Sequence, residues 1–127
     1  MIRSPHALTV AAMCITTFVA ADASAASVRV TCEVRSDRSK ISVDGRRLAP
    51  GAYTTEAISG SSLAMAGPFN AVRGQVETDY DSDPGDIGDG ATPIAPDFIE
   101  GARVTGKVVD AGGFTVAEGT AVCRVRR

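Results

Sequence analysis

The chain has 127 residues, of which 13 are basic and 15 acidic, for a formal charge of −2, with one histidine, three cysteines and no tryptophan. That length holds about one domain. The absence of tryptophan and the scarcity of other aromatics argue against a sugar-stacking cleft, and the short basic runs, Arg46-Arg47 and the terminal RVRR, do not make a nucleic-acid surface.

Residues 1–25 read as a leader rather than as part of the fold. MIRSPH carries Arg3, ALTVAAMCITTFVAA is an apolar run of 15 residues, and ADASAAS supplies small residues for cleavage. The run falls short of the ~20 residues that span a bilayer as a helix. Ala23-Ser24-Ala25 places cleavage after Ala25, with Ala26 as the neighbouring choice. Removal of the leader takes away His6 and Cys14 and leaves residues 26–127 as a single domain with no membrane span, bound for the periplasm or the exterior. The remaining cysteines, Cys32 and Cys123, are expected to form one disulfide in that oxidising setting. A redox pair lacks its C-x-x-C motif.

The remaining chain follows a period of two. In SVRVTCEVRS, Val28, Val30, Cys32 and Val34 share one face, and Arg29, Thr31, Glu33 and Arg35 share the other. SKISV continues with Ile41 and Val43, Asp44-Gly45 signals a hairpin turn, and RRL begins a return before Pro50-Gly51 breaks the chain. AYTTEAISG predicts a strand with Tyr53, Thr55 and Ala57 on one side; residues 59–70 give no firm pattern. AVRGQVETDYD alternates with Val72, Val76, Thr78 and Tyr80 inward, and Tyr53 and Tyr80 are expected to pack with a wet hydroxyl. Asp83 and Pro84 suggest an N-cap and first position of a short helical turn. Ile94, Phe98 and Ile99 lie in a loop suited to plugging one end of the core, and residues 103–126 form a hairpin around Ala111-Gly112-Gly113 that ends with Ala121, Cys123 and Val125 on one face.

No segment has a helical period. The expectation is an all-β, antiparallel two-layer β-sandwich, immunoglobulin-like or transthyretin-like, with six to eight strands. Its core is assigned to Val30, Val34, Ile41, Val43, Val76, Val108, Val116 and Val125. GKVVDAGGFTVAEGTAV resembles the hairpin pattern of carboxypeptidase-regulatory-like and transthyretin-like sandwiches, which implies fold class alone. Over nearly all of residues 26–127, CEVRSDRSKISVDGRRLAPGAY, DYDSDPGDIGDGATPIAPDFI and VTGKVVDAGGFTVAEGTAVCRV resemble a group of short exported proteobacterial proteins of uncharacterised activity. That resemblance implies export and a single domain, and supplies no ligand or catalytic residue.

The segment DYDSDPGDIGDG is the one chemical candidate. Residues 77–100 hold eight acidic residues and no basic one. Asp79, Asp81, Asp83 and Asp86 have ligand types for calcium, which takes six to eight oxygens. An EF-hand is excluded, because Pro84 stands where its glycine belongs and Gly90 where its bidentate glutamate belongs. The other reading is a solvated turn, since Asp and Gly are turn residues and basic groups elsewhere can face the loop. Without His6 there is no Ser-His-Asp triad or histidine zinc site, and paired cysteines leave no thiol nucleophile. The chain is therefore expected to be a non-catalytic structural or interaction domain for an envelope or extracellular protein, without cofactor. The alternative is a calcium-binding envelope or adhesion module.

Overall fold

A computed structural model describes residues 25–127. The leader expectation, Ala25 apart, lies outside the described residues. The elements in chain order are β1 (Ser27–Arg35), β2 (Arg38–Arg46), β3 (Ala52–Ser59), β4 (Ser62–Asn70), β5 (Val76–Asp81), α1 (Pro84–Gly88), β6 (Thr92–Pro93), β7 (Arg103–Asp110), β8 (Thr115–Val122) and β9 (Arg124–Val125). They build two sheets, ordered β6-β5-β2-β1-β9 and β4-β3-β7-β8. The sheets face one another in a sandwich-like arrangement, with β1 against β7 and β8, and β4 beside β5. Pairing is antiparallel except for two short parallel pairs, β1 with β9 and β5 with β6.

Alternation accounts for both faces. Ile41, Val43, Tyr80, Val104 and Val108 are fully buried between the sheets. The outer face of the five-stranded sheet carries a polar grid. Glu33 pairs in register with Lys40 and Lys40 with Asp81; Arg29 pairs with Asp44 and Asp44 with Glu77. Val30, Val34 and Val116 are half-buried rather than central.

Several expectations are corrected. Asp44-Gly45 is not a turn: it continues β2, and the hairpin bend lies at Ser36-Asp37. Packing overrides the turn signal here, because a Cβ on Gly45 would stand 3.0 Å from Val108 Cγ2. The glycine is kept for close approach of the sheets. Residues 62–70, which show no clear period, form β4 as the partner of β3, with a register shift near Thr55 and a cis bond at Gly67-Pro68. Val72 is 69% exposed in a turn before β5, where Arg73 and Gly74 both take positive φ. Val125 is 59% exposed, because the chain leaves one sheet at Cys123 and joins the edge of the other as β9. Its alternation with Cys123 does not survive that crossing.

Loop 94–102 closes one end of the core with Phe98 and Ile99 buried. Two buried serines fix it, one from each sheet. Ser39 Oγ donates to the Pro96 carbonyl at 2.7 Å and accepts from Ile99 N at 3.3 Å. Ser59 Oγ accepts from Glu100 N at 2.7 Å and donates to the Arg103 carbonyl at 2.7 Å. The Cys32–Cys123 disulfide joins β1 to the β8–β9 junction, with Cα atoms 4.6 Å apart. No helix among the described residues is long and apolar enough to cross a membrane.

Candidate functional site

The aspartate segment begins at the outer face of β5, bends at Asp83-Pro84 and runs through α1 into β6. The bend has a local cause. Asp83 has extended backbone, Pro84 opens the helix, and the Asp83 carboxylate accepts from Asp86 N at 3.3 Å. The expected helical turn is therefore present.

The structure sets Asp79 apart and brings Asp81, Asp83 and Asp86 together. Asp79 is exposed on the outer face with Glu77. Asp81 lies on that same face but is only 1% exposed. Arg38 reaches across from the start of β2 and donates Nε to Asp81 Oδ1 at 2.9 Å and Nη2 to Asp81 Oδ2 at 2.7 Å. The same Nη2 donates to Asp86 Oδ2. Asp83 N adds a 2.9 Å bond to Asp81 Oδ1. One guanidinium thus bridges two carboxylates and joins α1 to the sheet, while Asp83 spends its side chain on the helix cap. Among the described residues, no group of three or more His, Cys, Asp or Glu side chains is placed to hold a metal ion.

The two bridged carboxylates respond in opposite directions. Burial pushes Asp81 up, but the hydrogen bonds from Arg38 and from Asp83 N outweigh it and hold the carboxyl down at about 2. Asp86 moves up, first because its carboxyl faces that of Asp81 and next because of burial. With its oxygens occupied and its proton loosely held, Asp81 is a poor general base. Its bonds tie α1 to the sheet through Arg38.

Beyond α1, the segment borders a cleft of about 320 Å³ lined by Lys40, Glu77, Asp79, Asp86, Asp89 and Phe69, among others. It lies at the open edge of β5. A second, wider depression of about 640 Å³ adjoins it and shares Phe69 and Glu77. Two buried side-chain oxygens lack a hydrogen-bond partner among the described residues, Asp44 Oδ1 and Thr78 Oγ1.

Residue types alone do not single out Arg38, Ser39, Ser59 or the Tyr80 hydroxyl. The one available signal for Arg38 was the lack of any cation within residues 77–100, which calls for one from elsewhere in the chain. The expected wet hydroxyl of Tyr80 is corrected: the residue is fully buried, its oxygen lies 2.7 Å from Thr55 Oγ1, and it donates to the Thr55 carbonyl at 3.0 Å. Tyr53 donates to the Ala49 carbonyl at 2.6 Å. Neither protein-family models, curated proteins nor solved structures give a match to the chain.

Proposed function

We propose that the chain is a small exported domain without catalytic activity, acting in the periplasm or outside the cell by binding an envelope or extracellular protein. The finer fold assignment that goes with this reading is an immunoglobulin-like or transthyretin-like sandwich. The main support is that three of the five aspartates of the segment are already engaged in the fold. Asp81 and Asp86 neutralise Arg38, and Asp83 caps α1. The disulfide is compatible with an oxidising compartment, and it takes up both thiols of residues 26–127. The calcium alternative would require Asp81 and Asp86 to give up Arg38 for the ion, exchanging one charge-assisted contact for another.

Expression of the complete sequence in a host with an outer membrane, followed by fractionation and N-terminal sequencing, tests export. Recovered protein should begin at Ala26 or Ser27, with no free thiol. A folded, exported chain that retains Met1, or one confined to the cytoplasm with both thiols free, would sink the reading.

A further inference from the structure

Beside β5 runs a strand lane that is only half filled. β6 pairs with β5 at Tyr80 and Asp81, and no described strand occupies the same lane along Val76–Asp79. The Asp81 carbonyl accepts from Ile94 N at 3.0 Å on that side. Backbone groups alternate in direction along a strand, so those of Glu77 and Asp79 face the vacant lane while those of Thr78 and Tyr80 serve β2. Unpaired edges of this kind are templates for another chain. The vacant lane coincides with the cleft described above. Phe69, 45% exposed, borders both this cleft and the adjoining depression, and Val72, 69% exposed, extends the apolar surface into the depression. Glu77, Asp79 and Asp89 outnumber Lys40 on the rim of the cleft and leave it acidic, while Arg73 borders the adjoining depression. The outer edges of β4 and β8 are open too, but β4 has no charged residue and β8 only Glu118 to select a partner.

We infer that the open edge of β5 accepts an extended, cationic segment of a partner protein by strand addition, with Lys or Arg side chains towards Glu77 and Asp79 and apolar side chains towards Phe69 and Val72. This deepens the reading of the chain as an interaction domain and rests on it. Main-chain bonds supply the lane, and alternate side chains supply the choice of partner. Opposite charge across the rim speeds encounter and disfavours acidic segments.

The test uses protein expressed from the complete sequence, purified with its disulfide intact and labelled for amide NMR. The probe is an end-blocked octapeptide alternating Lys and Val, compared with its Glu–Val counterpart and with a Lys–Val version N-methylated at alternate residues. Saturable shifts at Glu77 and Asp79 amides, slowed exchange there, and loss of binding with either control peptide are expected. Glu77→Lys with Asp79→Lys should weaken the Lys–Val peptide by about tenfold or more. Phe69→Ala should weaken it with the charges intact. Equal binding of the N-methylated peptide would reduce the effect to surface charge and overturn strand addition. Self-association of the chain through these amides without peptide would assign the edge to a second copy and overturn it too. No binding in a chain that is exported and oxidised would sink this inference alone; retention in the cytoplasm with free thiols would sink the broader reading.

Discussion

Asp81 shows what an alternating pattern conveys about a residue and what it omits. The pattern puts its side chain on the outer face, which is correct, but gives no sign that Arg38 and α1 would cover it. The folded chain holds the Asp81 carboxyl below its ordinary 3.8, at about 2, so its contribution is complete above the ordinary value and is lost as pH falls towards 2. Asp86 has the opposite sign: its raised carboxyl takes its proton earlier in the folded state, so its contribution grows as pH falls towards 3.8. Stability should therefore hold as pH falls to about 4 and drop below it. Arg38→Met should lower the melting temperature at neutral pH and do less near pH 3, where the Asp81 carboxyl of the variant, no longer held down by Arg38, can protonate; melts across pH check both. Tyr80 is a second case. Burial, against the bond to Thr55, pushes its phenol up to about 12, so its tyrosinate absorbance should appear well after the ordinary 10. Tyr80→Phe removes the bridge between β5 and β3 and should cost ~1–2 kcal/mol in urea unfolding.

The elements differ in how readable they are. β1 and β3 are legible because each alternates over eight or nine residues, and β7 and β8 because they flank the turn at Ala111-Gly112-Gly113, although Val108-Val109 and the register shift there blur their alternation. β4 was hidden by small residues, SLAMAG, whose alternation has little contrast, and by Pro68 within its range. In β2 the dipeptide Asp44-Gly45 signals a turn that packing overrides. β9 depends on a sheet crossing that periodicity cannot register. α1 was legible because its cap and proline are local signals, whereas the Arg38 bridge spans 43 residues to Asp81 and leaves no local trace. The glycines of the inner faces test the packing account. A Cβ on Gly106 would lie 2.6 Å from Val30 Cγ2 and 3.2 Å from Val43 Cγ2. Gly106→Val should therefore force β7 away from β1 and β2 and destabilise by ~1–3 kcal/mol or more, although valine favours strands. Unchanged stability in chemical denaturation would show that the sheets are not held this close.

At the scale of the molecule, β1 and the C-terminal crossing are joined through 91 residues of sequence by one covalent bond. Such a bond chiefly restricts the unfolded chain, so Cys32→Ala should cost ~2–5 kcal/mol, measured against the oxidised protein. Charge is divided on the same scale: the acidic segment gathers around β5 and α1, at the opposite sheet edge from Arg124 and Arg126 of the β9 end. That division raises the question of whether a divalent cation belongs at the acidic end. An ion bound only by the folded state would add about 2.7 kcal/mol at a hundredfold excess over its Kd. Millimolar calcium would then raise the melting temperature by several degrees, and magnesium, with its tighter octahedral demand, would do less. The arrangement around Arg38 leads us to expect ordinary salt behaviour instead, with equal small effects from both ions. Asp79→Asn and Asp89→Asn should then be nearly neutral, since both side chains are exposed, and Asp83→Asn should also be mild, because asparagine caps a helix as well as aspartate does. Asp81→Asn should destabilise whether or not calcium is present, because it breaks the pair with Arg38. A calcium-specific rise in melting temperature that disappears in Asp79→Asn would reverse this assignment, because Asp79 has no structural bond to lose and only a ligand role would account for the change.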